Sequence, residues 1–214
     1  MTAAPGPVVI LNGAPRSGKS TVARALDAAD GREWTSLGVE TSRAATPAIL
    51  QPGLGLRPGG ERPDVEAALP GLVAALYDEV AGRSREGRAV VVDVGHHEGH
   101  SRPLGTWAIV ADRLAGLPAW VVGVRCPLDE VVRRRRASGA GYEALGPDTA
   151  PTPAVRRWQD EVHRPGRYDL EIDTSVLAAD EAAARILDHL AHGPPPTALA
   201  ARAGGSDPRA DLHR

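Results

Sequence analysis

Phenylalanine is absent from the 214 residues, cysteine and methionine occur once each, and Lys19 is the only lysine among 25 basic side chains. A lone cysteine, Cys126, excludes an internal disulfide and any metal site built from several thiolates. At the end of an apolar run it reads as a small buried apolar side chain. No apolar run approaches the roughly 18 residues that a membrane helix needs, and the opening MTAAPGP has no positively charged n-region. The sequence therefore predicts a cytoplasmic protein without a membrane partner. A basic surplus is missing too. Lys plus Arg number 25 against 27 Asp plus Glu, a formal charge of −2, so no field advertises nucleic acid. No internal repeat is visible, and the length suits one α/β domain.

What is present begins with ILNGAPRSGKST, residues 10–21. Gly13, four residues, then Gly18, Lys19 and Ser20 match the P-loop pattern. In that pattern a glycine-rich turn aims backbone N–H groups at phosphate oxygens. The turn would cradle the phosphates with Gly13, Ala14, Pro15, Arg16, Ser17, Gly18, Lys19, Ser20 and Thr21. An apolar strand over 8–11 enters the turn and a helix over 21–26 leaves it, which sets the positive end of a helix dipole at the anion. Lys19 is expected to reach the β- and γ-phosphates and the Ser20 hydroxyl to take a place on Mg²⁺. A sequence that writes arginine at every other basic position keeps lysine where a compact ammonium is needed.

Four further strand candidates follow, at 35–39, 89–93, 120–125 and Leu170–Asp173, with helical patterns between them. Continuous apolar strands alternating with helices imply a parallel sheet covered on both faces, and ligands then bind at the strands' carboxyl ends. There stand the P-loop, Glu40, Asp93, and Arg125 with Cys126. Asp93 closes AVVVD, the usual place for a carboxylate that organises Mg²⁺, partly through water. Glu40 ends WTSLGVE and could take a proton from a substrate hydroxyl, in the first turn of a helix opening near Thr41 and Ser42. Arg133, Arg134, Arg135 and Arg136 follow Pro127 in one helix, where successive side chains point about 100° apart, so one or two can reach nucleotide phosphates. GHHEGHS matches no standard zinc spacing, and His96, His97 and His100 are expected instead to line the acceptor pocket. The segment 41–64, TSRAATPAILQPGLGLRPGGERPD, is the expected cap over that pocket. Beyond Gly193 the chain is rich in Pro, Gly and Ala, which predicts a folded unit over 7–192 and a disordered tail over 193–214.

VVILNGAPRSGKST, WTSLGVETS, GRAVVVDV, VVGVRCPLDEVVRRRRASG and YDLEIDTS together resemble the chloramphenicol phosphotransferase-like proteins over most of residues 8–192. The resemblance implies a fold like the P-loop nucleotide and shikimate kinases, a five-stranded parallel sheet flanked by helices. It implies transfer of the ATP γ-phosphate to a hydroxyl of a small molecule, an antibiotic among the candidates. The family's proposed base falls on Glu40 and its lid arginine on Arg134. Three positions depart from the pattern. The base is Glu rather than Asp; Asp93 is followed by Val94 rather than a second acid; and Ser138, Gly139, Ala140 and Gly141 replace the lid's Arg-Gly-Asp-Arg. Arg135, Arg136, Arg156 or Arg157 would then have to complete the nucleotide clamp. The competing expectations are a metabolite or nucleoside kinase on the same fold and a nucleotide-binding switch without acceptor chemistry.

Overall fold

The computed structural model describes residues 4–137, 153–164 and 166–203. Its strands are β1 Val8–Asn12, β2 Trp34–Gly38, β3 Ala89–Val94, β4 Ala119–Arg125 and β5 Leu170–Asp173. They pair in parallel in the order β2-β3-β1-β4-β5. The helices among the described residues are α1 Lys19–Ala29, α2 Val39–Ala45, α3 Pro63–Glu66, α4 Leu69–Arg85, α5 Thr106–Arg113, α6 Leu128–Ala137, α7 Pro153–Glu161, α8 Ala179–His192 and α9 Ala198–Ala203. The lid positions 138–141 lie outside the described residues.

Side chains alternate across the sheet, so each face has its own core. Val8 and Ile10 meet α4, α5 and α9 through Val73, Tyr77, Val110 and Leu199. Val9 and Leu11 meet α1 and α8 through Val22, Leu26, Ala183 and Ile186. β1 therefore sends its helix to one face while the neighbouring β3 sends α5 to the other. The loops diverge, and a crevice opens at the carboxyl ends of these two central strands.

One close approach sets the entry to that crevice. Gly38 ends β2 opposite Asp93, at φ 153°, and a Cβ there would lie 2.2 Å from the Asp93 carbonyl oxygen. Only glycine fits. The Gly38 N–H donates to Thr41 Oγ1 at 2.9 Å, and α2 starts at once with Val39, two residues earlier than the sequence predicts. Strand β2 correspondingly ends at Gly38 rather than at 39.

Two sequence expectations are corrected. The chain beyond Gly193 does not leave the fold within its described part: α9 packs on α5, with Ala198 and Leu199 buried. Asp169 accepts from the Thr197 and Ala198 N–H groups at 2.7 and 2.9 Å and from Val121 N–H at 2.8 Å, clipping α9 to the sheet. The Arg202 guanidinium lies 3.9 Å from the Trp107 ring centroid and donates to the Arg167 carbonyl at 2.6 Å. Composition misses this because small residues and one arginine do the packing where bulky apolar ones are expected. Residues 204–214 lie outside the described residues.

The histidines of GHHEGHS, expected on the acceptor wall, are not among the residues that line the cleft; His96 and His97 are buried beyond the end of β3. The Asn12 amide draws them there, accepting from the His96 N–H at 2.7 Å and donating to the Val162 carbonyl at 2.8 Å. His96 Nε2 sits 3.0 Å from the Tyr77 hydroxyl with its ring edge-on to Trp107, and His97 Nε2 sits 3.1 Å from the Leu56 carbonyl. Glu98 accepts from the Gly105 and Trp107 N–H groups at 3.2 Å each, at the start of α5. Buried Glu66 holds Ser101 and lies 3.8 Å from His100 Nδ1. Burial, followed by repulsion from the basic side chains of His97, Arg202 and His100, pushes His96 down to about 3. Burial beside His100 pushes His97 to about 4.

Replacing Arg202 by Ala should cost about 2 kcal/mol, a stacked cation plus a charged hydrogen bond, read as a lower urea midpoint. A free tail would show no change. The buried histidines fix a second outcome. Their folded pKa values lie below the unfolded value of about 6.5, so their contribution is complete above that pH and is lost as the unfolded chain takes up protons below it. Between pH 7 and 5 the fold should lose about 2 kcal/mol for each of the two, and His97→Gln should flatten the slope of urea midpoint against pH. An equal slope in the variant would rule out His97 as a source.

Candidate functional site

The crevice is a cleft of about 810 Å³. One wall is the P-loop and α1, the other is α2 and the cap, and its floor is the end of β3. Within the loop Arg16 and Gly18 take left-handed backbone angles, φ 72° and 94°, which turn successive amides toward one concavity. The first turn of α1 closes on the Gly18 carbonyl, from Thr21 and Val22 at 3.0 Å each. The loop is thus a ready anion nest at a helix N-terminus.

Lys19 is 8% exposed, and its ammonium donates to the Ala14 carbonyl at 3.0 Å and pairs with Asp93 Oδ1 at 3.5 Å. Burial lowers its pKa, and the Asp93 charge opposes that shift. The other Asp93 oxygen accepts from Ser20 Oγ at 2.5 Å. The parallel register that sets Leu11 beside Asp93 makes this possible, since the P-loop leaves β1 one residue further on. Two hard oxygen groups therefore meet at the P-loop end, the donor chemistry that suits Mg²⁺. The Ser17 hydroxyl is buried without a partner, a polar group left for a ligand in the loop.

Of the expected site residues, the structure brings Glu40, Lys19, Ser20, Thr21, Asp93 and Arg134 to this cleft, together with Gly13, Pro15, Arg16 and Gly18. Ala14 and Ser17 shape the loop from within, both buried. Glu40 is exposed in the first turn of α2. Arg134 is held at the flank of the P-loop. Its guanidinium donates to Glu130 at 2.7 Å, to the Thr174 carbonyl at 2.6 Å and to Thr174 Oγ1 at 3.1 Å. Arg125, at the fourth strand end, turns away to Glu171 at 3.0 Å, and Cys126 is buried. Arg135, Arg136, Arg156 and Arg157 are not among the residues that line the cleft.

Two contributors escape sequence reading. Thr174 follows β5, donates to the Ser17 carbonyl at 2.6 Å and so buttresses the loop; its place after a strand end was the available signal. Trp158 of α7 lines the cleft, packed on Ala14 and Val162, with its Nε1 buried and unpartnered. Nothing in the sequence links this tryptophan to the P-loop. No helix among the described residues is long and apolar enough to cross a membrane.

Solved structures with the same fold include the Mycobacterium tuberculosis APS kinase in complex with AMPPNP and APS, with a TM-score of 0.58 and 20% identity over 87% of this chain and 98% of that one. A Deinococcus radiodurans tunicamycin resistance protein matches with a TM-score of 0.58 and 19% identity over 89% and 98%. The Acinetobacter baumannii shikimate kinase in complex with shikimate matches with a TM-score of 0.56 and 20% identity over 87% and 93%. A search of curated protein sequences finds no match. These likenesses fix the architecture as that of the P-loop kinases. The model of the chloramphenicol phosphotransferase-like proteins matches residues 6–191, nearly the whole described fold, and the chain belongs to that family.

Proposed function

We propose that the protein is an ATP- and Mg²⁺-dependent O-phosphotransferase that moves the γ-phosphate to a hydroxyl of a small molecule. The observation that carries this reading is a single cleft with two chemically different ends. A phosphate nest with a buried ammonium lies at one end, and a solvent-facing carboxylate, Glu40, stands at the other. A nucleotide-binding switch has no need of the second.

In this reading the acceptor oxygen attacks the γ-phosphorus from the Glu40 side. The new P–O bond forms as the bond to the bridging oxygen breaks, that electron pair leaves on ADP, and the acceptor's proton passes to the Glu40 carboxylate. The P-loop amides and Lys19 offset charge on the phosphate oxygens, and Arg134 supports the loop from its flank. Mg²⁺, when bound, spreads further charge off the β- and γ-phosphates; Ser20 Oγ and Asp93 would hold it, the latter partly through water. An antibiotic acceptor is supported by the family and by the tunicamycin resistance protein among the structural neighbours.

Glu40→Gln should leave the affinity for AMPPNP nearly unchanged and cut acceptor-dependent turnover on the order of 10²-fold, the usual worth of a positioned base. Calorimetry beside a turnover assay on the same preparations measures both; equal losses in the two, or none in either, would remove Glu40 from the chemistry and favour the switch. Lys19→Arg should abolish turnover and lower the thermal midpoint, because a planar fork does not fit the buried space shaped for an ammonium. Near-normal turnover in that variant would mean the phosphate is held elsewhere.

A further inference from the structure

The charges on the cleft wall are sorted by end. Its four cationic side chains are Arg16, Lys19, Arg24 and Arg134. All belong to the P-loop, α1 or α6, the phosphate side. Its two acids are Asp93, on the floor, and Glu40, on α2. Next to Glu40 on α2 and in the cap the lining side chains are Val39, Thr41 and Leu54, all neutral. Arg43 and Arg57, the arginines nearest in sequence to that end, are not among the lining residues.

Among the described lining residues an anionic acceptor would therefore approach a carboxylate and a nucleoside triphosphate with no cation of its own to meet. Burying a carboxylate, sulfate or phosphate there leaves it unpaired, and like charge facing like charge is a strong selective device. We propose that the acceptor end of this cleft excludes anions, so that the hydroxyl substrate carries no negatively charged group. This rests on the phosphotransferase reading and on Glu40 marking the acceptor end. It sets the chain apart from an architecture shared with kinases of APS and shikimate. Val39 and Leu54 line the cleft with apolar side chains on the Glu40 side. Selection here is by what the wall lacks.

The test uses the full chain and matched acceptor pairs differing in one charge: shikimate and its methyl ester, gluconate and sorbitol, hydroxymethylbenzoate and its methyl ester. Within each pair that turns over, kcat/KM for the neutral member should exceed that for the acid on the order of 10²-fold. An acid that matches or beats its neutral partner overturns the proposal. A second arm does not depend on turnover. With AMPPNP and Mg²⁺ saturating the phosphate end, a calorimetric titration with sulfate should give no saturable heat, whereas Thr41→Arg, which sets a guanidinium beside Glu40, should create sulfate binding. Saturable sulfate binding to the unaltered protein, not competed by raising AMPPNP, also overturns the proposal. Failure of every acceptor to turn over would sink the phosphotransferase reading instead, and the sulfate titration would still decide the charge rule.

Discussion

A buried ammonium is the constraint around which this fold is arranged. Lys19 is almost wholly removed from water, and burial costs it basicity, lowering its pKa. Asp93 opposes that loss from 3.5 Å, and the Ala14 carbonyl takes one donated bond. The Asp93 contact is not local. The carboxylate arrives on a strand more than seventy residues further along the chain, and only the β1–β3 pairing brings it there. The same carboxylate accepts from Ser20, so one acid organises both side chains that the motif sends toward a phosphate.

The central strands also decide which loops can meet. Because α1 and α5 leave β1 and β3 toward opposite faces, the space above their carboxyl ends stays open. Gly38, pressed against the Asp93 backbone, lets β2 pass into α2 without a loop and carries Glu40 to the rim of that space. A Cβ at position 38 would push β2 from β3 and carry Glu40 away with it. The acidic end of the cleft thus depends on a residue that has no side chain.

Much of this architecture is legible in the sequence because buried parallel strands are written as continuous apolar runs and the P-loop carries its own spacing. Strand boundaries fall within a residue or two of expectation, and Lys19, Ser20, Asp93, Glu40 and Arg134 share one cleft as their motif positions suggest. What escapes reading is tertiary. GHHEGHS looks like a polar loop facing a ligand, yet Asn12, one residue before the P-loop glycine, captures the His96 backbone and turns the loop inward. Trp158 and Thr174 reach the P-loop from α7 and from beyond β5, and no periodicity records that approach. The chain past Gly193 reads as solvated by composition, yet a guanidinium stacked on Trp107 serves there as core.

The distribution of basic residues follows the same physics. Arginines here find planar partners: Arg134 forks between Glu130 and Thr174, Arg125 meets Glu171, and Arg62 meets Asp64. Each partner offers carboxylate or carbonyl oxygens in an arrangement a guanidinium can bridge. At position 19 the space is closed by the glycine-rich loop, and the partners are one carbonyl and one carboxylate oxygen beyond the ends of different strands. A point charge on a flexible stem can serve either partner and then a phosphate without a fixed plane to satisfy. A chain with arginine at all its other basic positions and lysine only here has therefore marked, by that exception, the place where a compact charge is needed.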